Sequence, residues 1–211
     1  MSLFYLIRHG TTQWNIKEVF RGQKDIELNE DGLKEAEATG LCLKNTPIQV
    51  IFSSPLKRAK KTADIIASYC KVPVEILDDI TDINFGKWQG MSHEDVKNCF
   101  PELYKKWKQS PHTVTFPEGE GLQRVKDRAA HAIERIIASK KLHTFAIVSH
   151  RVVCKVLTCY FLGLDLSRFW YIRHDTCAIS VFQSTQDGYL VLKLNDSCHL
   201  NNILQRPKTD F

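Results

Sequence analysis

Short apolar runs alternate with helical patterns along this chain, and that alternation limits the possible folds more than any other feature. Phe4 to Arg8 is an apolar run that stops at a polar turn, so a buried strand ending at His9 is expected. Thr144 to Ser149 is the strongest strand pattern, and His150 ends it. Gln49 to Ser53 and Val74 to Leu77 read as further strands, and Ala178 to Gln183 and Tyr189 to Leu194 close the chain. Between them, one helix is expected from an Asn29 cap to about Lys44, through Leu33, Ala36, Glu37, Gly40 and Leu41. Another starts at Ser54-Pro55, with serine as cap and proline at the first helical position, and runs to about Tyr69. A long helix, about Leu122 to Ser139, carries Val125, Ala129, Ala132, Ile133, Ile136 and Ile137 on one side. A further helix spans about Val152 to Leu162. Ser92 opens one more, with Asp95 at the capping-box position. Gln109 to Gly121, rich in proline and glycine, reads as loop. Asn201 to Phe211 reads as a weakly structured tail or one docked on the body.

Strands alternating with helices predict an α/β fold, with a mostly parallel central sheet flanked by helices on both faces in three layers. Ligands in such sheets gather at the carboxyl ends of the strands. His9 and His150 both fall at strand ends, so parallel strands would put them on one edge.

Composition removes several function classes. The 211 residues suit one domain, at most with a small lid. Lys plus Arg is 29 against 24 Asp plus Glu, a mild net charge of +5. The one dense basic cluster, Lys57, Arg58, Lys60 and Lys61, lies at a single helix start, so it reads as a solvated helix end or a weak attractor of small anions. No nucleic-acid partner is expected. No apolar run reaches the roughly 18 residues of a membrane span, and the amino terminus lacks the pattern of a signal peptide. The 7 cysteines are irregularly spaced without C-x-x-C, which suits reduced thiols in a cytoplasmic protein. No cysteine is followed six residues later by arginine, which removes the cysteine-phosphatase loop. D-x-D-x-T and Walker motifs are absent too, and no histidines pair at metal-ligand spacing. Neither a metal nor another cofactor is expected. Trp14, Trp88, Trp107 and Trp170 read as core and pocket wall.

Four short stretches carry the chemistry. Arg8-His9-Gly10-Thr11 joins a guanidinium, which binds a phosphate in fork geometry, to an imidazole able to attack phosphorus. Arg58 follows Ser53-Ser54-Pro55 in the first turn of a helix, where a cation opposes the helix dipole, which hints at a bound anion. Val148-Ser149-His150 puts a second histidine where a strand meets a helix. Thr81 to Gly90 sets Asp82 just ahead of the glycine-punctuated FGKWQG. Each histidine, taken alone, would read as a structural one.

In order and spacing, RHG, SSPLKRAKKTA, FGKWQG and VSH resemble the histidine phosphatase superfamily, which includes the phosphoglycerate mutases. The resemblance spans Leu3 to about Leu200. It implies a phosphoglycerate mutase-like fold in a single domain over 1–211, with 84–121 as a lid or insertion and 196–211 as a tail near the active site. It also implies that His9 is the phosphorylated nucleophile and that Arg8, Arg58 and His150 form the phosphate pocket. Asp82 stands where the family usually carries a glutamate acid/base, one methylene longer. Arg151 stands where glycine commonly follows the second histidine, and either meets a substrate carboxylate or faces solvent. The closing stretches, Asp165 to Trp170 and Leu192 to Leu200, resemble the bacterial metal-independent phosphoserine phosphatases of the family. That likeness implies substrate contacts from Arg21, Gly22 and His199, to which Asn15 and Arg151 are added as candidates, and hydrolysis of a small phosphate ester, phosphoserine first. α-Ribazole phosphate or broad-specificity hydrolysis, a mutase, and an inactive phospho-ligand binding module are the alternatives. A homodimer is common in the family.

Overall fold

The computed structural model describes residues 1–139 and 141–200. Strand β1 (Leu3–Arg8) alternates its side chains across the sheet as pleating requires. Phe4 and Leu6 enter one apolar cluster with Phe52, Phe145 and Ile147. Ile7 enters another with Ile51, Ala146 and Val148. Both faces are therefore covered, which is why the strand reads as a nearly continuous apolar run.

Strands β2 (Ile51–Ser53), β3 (Val74–Ile76), β4 (Thr144–Ser149), β5 (Ile179–Ser184) and β6 (Tyr189–Asp196) complete a sheet in the order β3-β2-β4-β1-β5-β6. β2 runs parallel to β3 and β4, and β4 runs parallel to β1. β5 alone is reversed, antiparallel to both β1 and β6. The helices, in chain order, are α1 (Gln13–Ile16), α2 (Glu30–Leu43), α3 (Lys57–Cys70), α4 (His93–Cys99), α5 (Pro101–Gln109), α6 (Leu122–Ala138) and α7 (Arg151–Phe161). α2 and α3 bring Leu43, Ala59, Ala63 and Ile66 to the Ile7 face. α6 and α7 bring Val125, Ala129, Ile133, Val153 and Leu157 to the Phe4 face. The result is the three-layer α/β arrangement expected from the alternation. Among the described residues no helix is long and apolar enough to cross a membrane.

Local chemistry sets most of the boundaries. Asn29 caps α2, its Oδ1 accepting the Gly32 N–H at 2.8 Å. The buried stripe of α2 is Gly32, Glu35, Ala36, Thr39, Gly40 and Leu43, whereas Leu41 is half exposed. Ser92 and Asp95 exchange the expected capping bonds at 3.1 and 3.3 Å. One boundary differs from expectation. α3 starts at Lys57, after an extended Leu56, so Ser54 is not its cap and Pro55 is not its first residue. Ser54 instead bonds a histidine of the site described below. The short α1 gave no sequence signal. Pro101 opens α5 and separates it from α4. Residues 84–121 contribute Trp88, Trp107 and Phe116 to the core. The stretch Asn201 to Phe211, read as a tail, lies outside the described residues.

The register of β1 on β4 pairs Arg8 with Ser149, so the next residues, His9 and His150, emerge side by side at the carboxyl edge. The His9 N–H donates to Ser149 O at 2.8 Å and locks that alignment. Asn29→Ala is expected to lower unfolding stability by about 1 kcal/mol, read as a lower urea midpoint at unchanged slope. An unchanged midpoint would mean that Glu30 and Asp31 suffice to start α2.

Candidate active site

His9 and His150 are fully buried, with ring centroids 5.2 Å apart. His9 Nδ1 lies 2.7 Å from the Gly10 carbonyl oxygen. A carbonyl only accepts, so Nδ1 carries the proton and the neutral ring keeps its lone pair on Nε2. That buried Nε2 has no hydrogen-bond partner. Burial, then the charges of Arg58, Arg8 and Arg21, hold His9 well below the ordinary value of 6.5. The ring is therefore neutral at working pH.

His150 is held low in the same way, by burial first and then by Arg58, His9, Arg21 and Arg128. Its Nε2 lies 2.7 Å from Ser54 Oγ. Ser54 Oγ also accepts the Leu56 N–H at 3.4 Å, and its second lone pair leaves it able either to donate to Nε2 or to accept from it. His150 Nδ1 lies 3.7 Å from Asp82 Oδ2.

Arg58 occupies the first turn of α3 with no exposed surface. Its Nη1 donates to Lys24 O at 2.8 Å, and its Nη2 donates to Gly22 O at 2.7 Å and Asp82 Oδ2 at 3.0 Å. These acceptors balance the cation against the helix dipole. Its buried Nε has no hydrogen-bond partner, and neither has the buried Nε of Arg21. Buried donors in that state mark a ligand position. Arg8 Nη1 donates to His174 O at 2.7 Å. Asp82, nearly buried, also accepts the Ile83 N–H on Oδ1 at 3.0 Å.

Close backbone packing shapes the loop after His9. A side chain on Gly32 would meet Thr11 O at 2.1 Å, and one on Gly10 would meet Gly32 O at 2.5 Å. α2 thus presses directly on the loop. Glu35, buried in α2, accepts Thr11 N–H at 2.8 Å, Thr11 Oγ at 2.7 Å and Thr176 Oγ at 3.1 Å. Burial pushes its carboxyl above the usual range, against those bonds. Gly22 holds φ at +52°, where its carbonyl meets Arg58 and a side chain would strike Gln89.

The structure brings Arg8, His9, Arg21, Gly22, Arg58, Asp82 and His150 together. Arg151 joins their rim: its charge helps depress Arg21, His93 and Lys108. Asn15 caps α1 instead, its Oδ1 accepting the Thr12 N–H and Oγ–H at 2.9 and 2.7 Å. His199 stands apart from the arginines. Its Nε2 lies 3.0 Å from Thr39 Oγ1 and 3.2 Å from Cys177 O, and its charged neighbours are Asp196 and Lys193. Sequence reading missed Ser54, Glu35, Glu120 and Arg128 as supports around the site. Glu35 had a usable signal, since it is a charge on the buried stripe of α2. Among the described residues no group of three His, Cys, Asp or Glu side chains could hold a metal ion.

A neutral imidazole stands among buried guanidinium groups, and the chain is a phosphatase. It belongs to the histidine phosphatase superfamily (branch 1), whose family model matches residues 4–197. Phosphoserine phosphatase 1 of Hydrogenobacter thermophilus is 36% identical over 95% of this chain and 95% of its own. The adenosylcobalamin/alpha-ribazole phosphatase of Salmonella typhimurium is 28% identical over 92% of this chain and 95% of its own. The solved structure of Bacillus stearothermophilus YhfR superposes with a TM-score of 0.91 at 27% identity, covering 95% of this chain and 100% of that one.

The two depressed histidines make stability depend on pH. Below the unfolded value of 6.5, the unfolded chain takes up protons that folded His9 and His150 refuse. Stability present above 6.5 is therefore lost as pH falls, at up to about 1.4 kcal/mol per pH unit for each histidine. Urea midpoints should drop from about pH 7 to about pH 5, and His150→Gln should flatten the drop. Equal slopes in both proteins would mean that folded His150 takes its proton.

Proposed function

We propose that this phosphatase hydrolyses phosphoserine through a phosphohistidine on His9, without a metal ion. The observation that carries the reading is the buried lone pair on His9 Nε2 beside Arg8, Arg21 and Arg58. In this reading Nε2 attacks phosphorus and the bond from phosphorus to the ester oxygen breaks. Arg58 Nε, Arg8 and the Nδ1–H of His150 take the charge that spreads over the equatorial oxygens. Asp82, taking up a proton when the phosphate replaces it as the partner of Arg58, gives that proton to the departing serine oxygen. Water then attacks the phosphohistidine, Asp82 takes a proton from it, and phosphate leaves with His9 neutral again. Fixed guanidinium groups supply the charge that a metal would otherwise bring.

The rim supports the choice of substrate. Arg151, Lys108, His93 and Arg21 sit within one another's fields, and Glu18 is the acid that Lys108 feels there. Such a rim suits a substrate with a second anionic group beyond the phosphate, as phosphoserine has in its carboxylate. α-Ribazole phosphate carries no such group, and it is kept as the second reading because of the Salmonella relative. Residues 84–121, which carry His93 and Lys108, act as the wall or lid of the mouth in this reading. A mutase would have to shield the phosphohistidine from water, and the short interval between Asp82 and His150 favours hydrolysis.

The test is phosphate release in excess EDTA from L-phosphoserine, phosphothreonine, 3-phosphoglycerate, α-ribazole phosphate and an aryl phosphate. Selective, EDTA-resistant release from phosphoserine is expected, and His9→Ala should abolish it. Release from α-ribazole phosphate alone would move the assignment to the second reading, and loss of release in EDTA would refute metal independence. Arg151→Ala should raise KM for phosphoserine by about 10-fold or more, because a charge-assisted bond is lost. KM for the aryl phosphate should hardly move. Equal increases on both would show that Arg151 does not read the carboxylate.

A further inference from the structure

Asp82 rides on a stretch of backbone that is irregular after the short turn at Asp78–Ile80. Something other than a strand or helix must hold it. The Ser149 Oγ–H donates to Ile80 O at 2.7 Å, and Gln23 Nε2 donates to Asp82 O at 3.2 Å. The larger grip comes from the far side of the sheet. Arg128, on α6, donates Nη1 to Asp79 O at 2.6 Å and Nη2 to Asp82 O at 3.3 Å. The same guanidinium holds Glu120 through two bonds, Nη2 to Oε1 at 2.9 Å and Nε to Oε2 at 3.3 Å. Glu120 Oε1 in turn accepts the Asn84 N–H at 2.9 Å, and the Glu120 N–H donates to Asn84 O at 2.9 Å. One buried carboxylate and one guanidinium thus hold the chain at positions 79, 82 and 84, on both sides of Asp82.

We propose that Arg128 and Glu120 are positioning residues that fix the Asp82 carboxyl for proton transfer to the leaving group. The proposal rests on the reading of Asp82 as the acid/base. Its physical reason lies in side-chain length. Aspartate has one torsion fewer than glutamate and a shorter reach, so it cannot swing to correct a misplaced backbone. The backbone at Asp82 must itself be set, and proton transfer tolerates little error in that setting.

Leaving-group dependence separates this role from a merely structural one. An aryl phosphate leaves without a proton, whereas phosphoserine needs one. kcat/KM reports only steps up to the first irreversible one, the transfer to His9, so later hydrolysis does not blur the comparison. Arg128→Met should lower kcat/KM for phosphoserine by about 10²-fold. The value for the aryl phosphate and the inhibition constant of inorganic phosphate should stay nearly unchanged. Glu120→Gln should shift the same ratio in the same direction by less, because its amide oxygen still accepts from Asn84. An equal loss on both esters, or no loss on either, would overturn the proposal. Should Arg128→Met fail to fold, Arg128→Lys keeps the charge but cannot span Asp79, Asp82 and Glu120 together, and it is read by the same ratio. Asp82→Asn runs beside them as the control. If that variant shows no leaving-group dependence, the acid/base reading fails and the clamp falls with it. If it does and Arg128→Met does not, only the clamp is wrong.

Discussion

Arg58 is the group on which the rest of the site depends. Its guanidinium, without exposed surface, joins the chain after β1, through Gly22 and Lys24, to Asp82 on the far loop. A buried cation is costly unless its donors are answered, and here carbonyls and a carboxylate answer them. Loss of any one acceptor would leave a charge stranded in the interior. The loops around Arg58 are therefore tied to one arrangement, and the unanswered Nε points the arginine toward a ligand anion.

From that cation follows the state of the histidines. Burial alone disfavours a charged imidazole, and adjacent guanidinium groups disfavour it further. The same crowding that keeps His9 neutral also makes the pocket attractive to a phosphate dianion, because the positive charges repel one another until an anion separates them. In the proposed mechanism, nucleophile activation and phosphate binding are thus one electrostatic arrangement. The carbonyl of Gly10 adds the remaining piece by choosing which nitrogen holds the lone pair.

Around this centre the supports are polar and deeply set. Glu35 ties the loop after His9 to α2, and Arg128 with Glu120 ties the loop of Asp82 to α6. Each face of the sheet thus contributes one buried network that reaches round to the carboxyl edge. Ser54, lost to helix capping, serves the site instead by bonding the His150 ring. Its neighbourhood shows local preference yielding to a tertiary demand, as α3 begins two residues later than Ser54-Pro55 suggests.

Alternating apolar runs and helical stripes were enough to read the layers, all six strands of the sheet and the edge on which His9 and His150 would meet, because periodicity directly records which face of each element is buried. Short motifs likewise exposed Arg8, His9, Arg58, Asp82 and His150, since each stands beside a turn or helix start with a local signature. What the chain alone left open depended on contacts between residues far apart in sequence. Asn15 and His199 were read as substrate contacts by resemblance, and the fold gives Asn15 Oδ1 to Thr12 and His199 Nε2 to Thr39 and Cys177. Glu35, Glu120 and Arg128 stand in no motif, and only the packed fold brought carbonyls, hydroxyls and an opposite charge to them. Hydrogen bonds and ion pairs at long sequence separation leave no period in a sequence, so the tertiary structure alone decided which charges were turned inward to build the site.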